Sequence, residues 1–185
     1  MKIESILESI VNAFKTVEGV DAIVLGGYRA TKTENEFSDI DIGIYYNEEF
    51  DIEAFKENAS MIDDMNRKDC ITNLGDWGPW INGGGWLTID NIPVDILFRS
   101  TRKVSQCIED CKKCIITIDY QCGHPFGFIN SIYMGEVFYC KILYSNSDEI
   151  QKLKNSLKIF PTNYKRSAIE KFLWECEFSL MCGKK

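Results

Sequence analysis

The first seventeen residues place Ile3, Ile6, Leu7, Ile10, Val11 and Phe14 three and four positions apart, with acids and other polar residues between them. That period gathers the apolar side chains on one stripe and predicts an amphipathic helix over residues 2–17, ended by Gly19. Residues 21–25 (DAIVL) are a short β-branched run, a buried strand by pattern, which Gly26 and Gly27 break. Residues 28–37 are polar and read as a turn and irregular loop. Residues 39–46 (DIDIGIYY) alternate strictly, the signature of a strand with one buried face. A helix is predicted over 51–65. Residues 87–89 and 93–98 then form two strands of a hairpin turning at Asp90 and Asn91. Beyond them the pattern predicts a helix over 101–113, a short strand over 115–118, a helix over 129–140, and helix from 148 to about 182 with a break at Pro161. This order predicts an α/β fold of α+β type: a mixed sheet with flanking helices over residues 1–146, then a short helical segment over 147–185.

The alternation also sets the chemistry. Alternate residues of a strand point to one face, about 7 Å apart. Asp39 and Asp41 therefore project together, while Ile40, Ile42 and Ile44 face a core. Two carboxylates so placed repel unless a cation lies between them, and an oxygen-only pair suits Mg²⁺. Asp95 stands in PVDILF, where an unpaired charge in an apolar strand is costly to bury. If that strand lies beside 39–46, Asp95 completes a cradle of three carboxylates. Gly26 and Gly27 follow a strand, where glycine lets backbone N–H groups approach a phosphate closely. A helical turn beyond them would aim its N-terminus at the anion, and Arg29 offers a cation. Each feature alone is an ordinary turn or strand end; together they point to phosphate and metal.

The pattern Leu25-Gly26-Gly27, eleven intervening residues, then Asp39-Ile40-Asp41-Ile42 resembles the signature of the DNA-polymerase-β-like nucleotidyltransferases. Ser38 before the first Asp, Arg29 after the glycines, and Asp95 between apolar residues on a later strand are similar to the family too. Within it the chain resembles the small bacterial branch that holds the aminoglycoside and lincosamide nucleotidyltransferases. The resemblance implies the nucleotidyltransferase fold and transfer of a nucleoside monophosphate from a nucleoside triphosphate, ATP first, to a hydroxyl of a small acceptor, with release of pyrophosphate. It implies two Mg²⁺ ions on Asp39, Asp41 and Asp95, and triphosphate binding by Gly26, Gly27, Arg29 and Ser38. Asp95 would also be placed to take the acceptor's proton. Relatives often carry Ser where this chain has Gly27, so that phosphate contact must come from backbone. The segment after residue 147 is shorter than the helical domain of related proteins, which makes a homodimer worth testing. Two rival readings remain: nucleotidylation of a protein or RNA, as in toxin–antitoxin systems, and a nucleotide-binding module without turnover.

Charge narrows the partners. The 185 residues carry 21 Lys and Arg against 28 Asp and Glu, a net −7 that disfavours a broad nucleic-acid surface. No apolar run spans a bilayer, and the first residues read as an amphipathic helix rather than a signal peptide, so the expectation is a cytoplasmic protein whose eight cysteines are free thiols. Trp77, Trp80 and Trp86 crowd a glycine-rich segment and read first as anchors for that loop, second as a stacking surface for substrate. Cys107 and Cys111 fall on the apolar face of a predicted helix and behave as small hydrophobes. Cys111, Cys114, Cys122 and His124 have zinc-ligand chemistry without a second close pair to support it. His124, the one histidine, reads as a turn residue, and Glu136 as a helix residue that can face the site.

Overall fold

A computed structural model describes residues 2–27, 30 and 39–184, so Arg29 and Ser38 lie outside the described residues. Helix α1 (Lys2–Phe14) leads into β1 (Val20–Leu25) and β2 (Ile40–Tyr46). Helix α2 (Ile52–Ile62), the hairpin β3 (Gly84–Ile89) and β4 (Ile92–Ser100), and α3 (Thr101–Lys112) follow. The remainder comprises β5 (Ile118–Asp119), β6 (Phe128–Ile129), α4 (Ile132–Tyr139), β7 (Lys141–Ser145), α5 (Glu149–Ser156) and α6 (Thr162–Gly183). Among the described residues, five strands form one sheet in the order β3-β4-β2-β1-β7, and β5 pairs with β6 in a separate two-stranded sheet. β2 and β4 run parallel; the other neighbours are antiparallel. The mixed α/β architecture is the one the pattern predicts.

The sheet separates two cores. Ile40, Ile42 and Ile44 of β2 and Val94, Ile96 and Phe98 of β4 face α1 and α2. There Phe14 stacks on Phe55 with ring centroids 4.0 Å apart, and Phe98 meets Phe55 edge-on at 5.2 Å. Ala22, Val24 and Tyr45 face the other way, against α3, α4 and α5. Ile150, Leu153, Leu157 and Tyr164 are buried in this second core. The alternation in both central strands follows from this arrangement, because each side of the sheet has its own cover.

The hairpin turns where expected. Asp90 and Asn91 both adopt left-handed backbone, φ 53° and 60°, which these short polar side chains tolerate and which matches the twist of a two-residue hairpin. The Asp64 carboxylate accepts both of their N–H groups, at 3.0 and 2.8 Å. Its neighbour Asp63 is buried at the end of α2, which stops at Ile62 rather than residue 65. Asp63 accepts from Arg67 Nε and Nη2 and from the Thr88 N–H, so one carboxylate ties the α2 terminus to β3. The Arg67 hydrogen bonds, foremost, hold its pKa well below the usual carboxylate range, against the opposing effect of burial. A depressed folded pKa gives stability that is full above the ordinary carboxylate range and is lost as pH falls through it. Asp63→Asn is therefore expected to cost about 1–3 kcal/mol at pH 7. Urea unfolding of the native chain and the variant should converge as pH is lowered from about 5 towards 2.

Other elements also differ from the pattern's expectation. α1 ends at Phe14, and the 115–118 strand reduces to two residues paired with β6, which occupies the start of the expected 129–140 helix. Strand β7 is absent from the pattern reading. It is an edge strand, half-buried along most of its length, and so lacks a clean apolar alternation.

Candidate active site

Strand direction assembles the site. β2 and β4 are parallel, so Asp41 and Asp95, both early in their strands, come to one edge of the sheet. β1 is antiparallel to β2, so its last residue pairs with Ile42 and delivers Gly26 and Gly27 to that same edge. In the β2–β4 register Asp41 stands directly opposite Asp95, Gly43 opposite Leu97, and Tyr45 opposite Arg99. The condition set for Asp95 holds: its strand lies beside β2.

The Gly26 N–H donates to the Asp41 carbonyl at 2.8 Å, and the Ala30 N–H donates to the Gly26 carbonyl at 3.1 Å. The chain thus leaves β1 hydrogen-bonded to β2, with Ala30 bonded back to Gly26. Gly27 has φ +57°. A Cβ there would lie 1.8 Å from Oδ2 of Asp41, so the carboxylate occupies the space that any side chain at 27 would fill. Asp39 and Asp41 also act on Asp95 through space: burial first, then the charges of Asp39 and Asp41, push its carboxyl above the ordinary value. Asp39 and Asp41 therefore both lie within electrostatic reach of Asp95. Among the described residues no three His, Cys, Asp or Glu side chains converge on one point at ligating distance. The donor set nonetheless fits a hard divalent cation, being oxygen-only and mutually repelling.

Asp41 also borders a cavity of about 140 Å³, lined by Gly27, Gly43, Arg99, Glu136 and Tyr139 among others. Arg99 is 3% exposed and grips Glu136 with two bonds, Nε to Oε2 at 2.7 Å and Nη2 to Oε1 at 2.8 Å. Its guanidinium also lies over the Tyr133 ring, 5.8 Å from the centroid. Glu136 does border the site, then, but as the partner of a buried cation. Arg99 went unremarked in the sequence, although it shares a strand face with Asp95 four residues earlier. A larger cavity of about 510 Å³ opens at the opposite end of the strands, near Tyr46 and Ser100. Its lining mixes Arg102 and Lys103 with Asp21, Glu48 and Glu149, and it contains none of the three site carboxylates.

The tryptophans divide. Trp80 stacks on Phe128, rings 5.5 Å apart and 5° from parallel, as a loop anchor. Trp86 pairs with Asp95 across β3 and β4 and is 57% exposed, with Trp77 against it at 4.9 Å. Cys107 and Cys111 are buried on α3, and burial pushes their thiols up to about 11 and about 12. With Cys122 exposed on a loop, the zinc arrangement of Cys111, Cys114, Cys122 and His124 does not form among the described residues. His124 packs edge-on to Phe128 at 5.5 Å.

Residues 8–75 match the family model described as Polymerase beta, Nucleotidyltransferase. The match takes in Gly26, Gly27, Asp39 and Asp41 and ends before Asp95. No curated protein matches the chain. Among the described residues no helix is long and apolar enough to cross a membrane.

Proposed function

Taking residues 8–75 as a domain of the DNA-polymerase-β-like nucleotidyltransferase superfamily, we propose that this chain transfers a nucleoside monophosphate from a nucleoside triphosphate, ATP first, to a hydroxyl of a small acceptor. The observation that carries the reading is the register of Asp41 opposite Asp95 beside the Gly26–Gly27 turn. Asp39, Asp41 and Asp95 would hold divalent cation, Mg²⁺ by donor chemistry and two ions by family resemblance, which when bound neutralises phosphate charge and polarises the reacting phosphoryl group.

The chain's own groups do the rest. Gly26 spends its N–H on Asp41, so its part is to fix the turn. Gly27, with no Cβ, leaves room for the Asp41 carboxylate, and in this reading its backbone N–H meets the β- and γ-phosphates. Arg29 and Ser38 complete the triphosphate contacts in this reading. The acceptor oxygen forms a bond to the α-phosphorus, the bond to the bridging oxygen breaks, pyrophosphate leaves, and the acceptor proton passes to Asp95. An in-line displacement puts the acceptor opposite the leaving group. With pyrophosphate over β1, the acceptor falls on the β4–β3 side, where Trp86 and Trp77 offer an aromatic surface.

Calorimetry with each of four nucleoside triphosphates, with and without Mg²⁺, tests the reading. Metal-dependent binding by the native chain, lost in Asp39→Ala/Asp41→Ala, is expected, followed by pyrophosphate release with small hydroxylated acceptors. Label transfer onto protein or RNA instead would move the acceptor to a macromolecule. Tight nucleotide binding with no turnover on any acceptor would overturn the transfer reaction.

A further inference from the structure

The cavity of about 140 Å³ that Asp41 borders lies between the sheet and α4. Asp41, Gly43 and Tyr45, alternate residues of β2, line one wall, and Leu97 and Arg99 of β4 line the next. Gly43 keeps the space open: a Cβ there would lie 2.9 Å from Cγ2 of Val24, itself a lining residue. A protein cavity of about 150 Å³ holds one benzene ring, so this volume suits a single flat ring.

The α4 side supplies Glu136. Its two oxygens each accept one bond from Arg99, at 2.7 and 2.8 Å. A carboxylate offers about four acceptor positions, so the pair with Arg99 leaves two, and the Glu136 side chain is 33% exposed. The cavity thus combines ring-sized space with a hydrogen-bond acceptor held in place by a buried cation.

The direction of the transfer reaction says what enters. A nucleoside is joined to its α-phosphorus through one ester oxygen, so it starts beside the carboxylates. With pyrophosphate at Gly27 and the in-line acceptor towards β3, the direction left on this sheet face runs along the strands. From Asp41 it passes Gly43 and enters the cavity. We propose that the cavity seats the base of the donor nucleotide, an amino-bearing ring of the adenine kind, and that Glu136 selects it by accepting from the amino group. This rests on the transfer reading and adds to it the base the donor carries.

Calorimetry in Mg²⁺ with three probes is the test. They are ATP, purine riboside triphosphate, which is ATP without its amino group, and inorganic tripolyphosphate, which has no nucleoside. The native chain is expected to bind ATP about tenfold tighter than purine riboside triphosphate. Leu97→Phe, which adds volume at the cavity wall, should weaken ATP at least about tenfold and leave tripolyphosphate within about twofold. Glu136→Gln should bring the two nucleotides within about twofold of each other, because its amide keeps an oxygen for Arg99 and turns a donor towards the base. Arg99 is buried, so that variant is checked by its thermal midpoint; if it fails to fold, the other two comparisons decide. A native chain that binds none of the three probes overturns the transfer reading, and this proposal with it. Triphosphate binding that ignores the amino group overturns the base assignment alone. So does a Leu97→Phe variant that weakens ATP and tripolyphosphate alike, or neither, or a folded Glu136→Gln variant that keeps the native preference.

Discussion

Asp41→Asn is expected to leave a folded protein whose transfer activity has fallen by at least about a thousandfold. The substitution keeps the side-chain shape and the backbone carbonyl that accepts the Gly26 N–H, so the β1–β2 edge should survive. What it removes is the anionic oxygen opposite Asp95, half of the central pair of the cradle. The thermal midpoint should stay within about 3 °C of the native value, which separates loss of chemistry from loss of fold. A second readout comes from Asp95. Part of the rise in its pKa is caused by the charge of Asp41, so in metal-free protein its carboxyl should titrate closer to the ordinary value in the variant, by ¹³C NMR. Full activity in Asp41→Asn would place the reaction elsewhere. An unmoved Asp95 titration would mean that the two groups do not share a field.

Gly27→Ala should be nearly as damaging, for a steric reason. The new methyl would lie 1.8 Å from Oδ2 of Asp41, far inside contact distance, and φ +57° costs a non-glycine residue about 1 kcal/mol. The strain alone is tolerable. The displacement is not, because Asp41 must swing away from the face it shares with Asp95. Metal-dependent nucleotide affinity is expected to fall by at least about 100-fold, with stability reduced by only about 1 kcal/mol. Gly27→Ser should fail in the same way, since its Cβ meets the same oxygen. Gly135→Ala, on α4 with open space around it, is the control and should bind as the native chain does. Calorimetry on the four proteins decides the matter; a Gly27→Ala variant with native affinity would show that Asp41 need not keep its position.

Much of this was readable along the chain. The strict alternation of residues 39–46 put Asp39 and Asp41 on one face because a strand has period two, whatever it later packs against. The Asp90–Asn91 turn was legible because few residues accept two consecutive left-handed conformations, and two that do stand between apolar runs. Glu136 was less legible: a carboxylate on a short apolar helix carries no sign of what it meets. Its partner Arg99 is 37 positions away in sequence, and their bidentate pair exists only because α4 packs on the side of the sheet to which Arg99 points. The tryptophans were ambiguous for the same reason. A glycine-rich loop carrying three aromatic rings reads alike whether the rings anchor it or face a ligand, and only the β3–β4 register turns Trp86 outward beside Asp95.

By itself, then, the sequence determined the local facts: which residues alternate, where the chain must turn, which carboxylates share a strand face, and that the chain is acidic overall. The tertiary structure decided which strands are neighbours, and with that the site. Asp95 lies 54 positions after Asp41 and meets it through a parallel pairing that the hairpin β3–β4 carries into place. Parallel strands have no local turn to set their register. It is set by how Ile40, Ile42 and Ile44 and Val94, Ile96 and Phe98 pack together against α1 and α2, and sliding either strand by one residue would turn its aspartate into that apolar core. The burial that fixes the core thereby fixes the carboxylates on its far side.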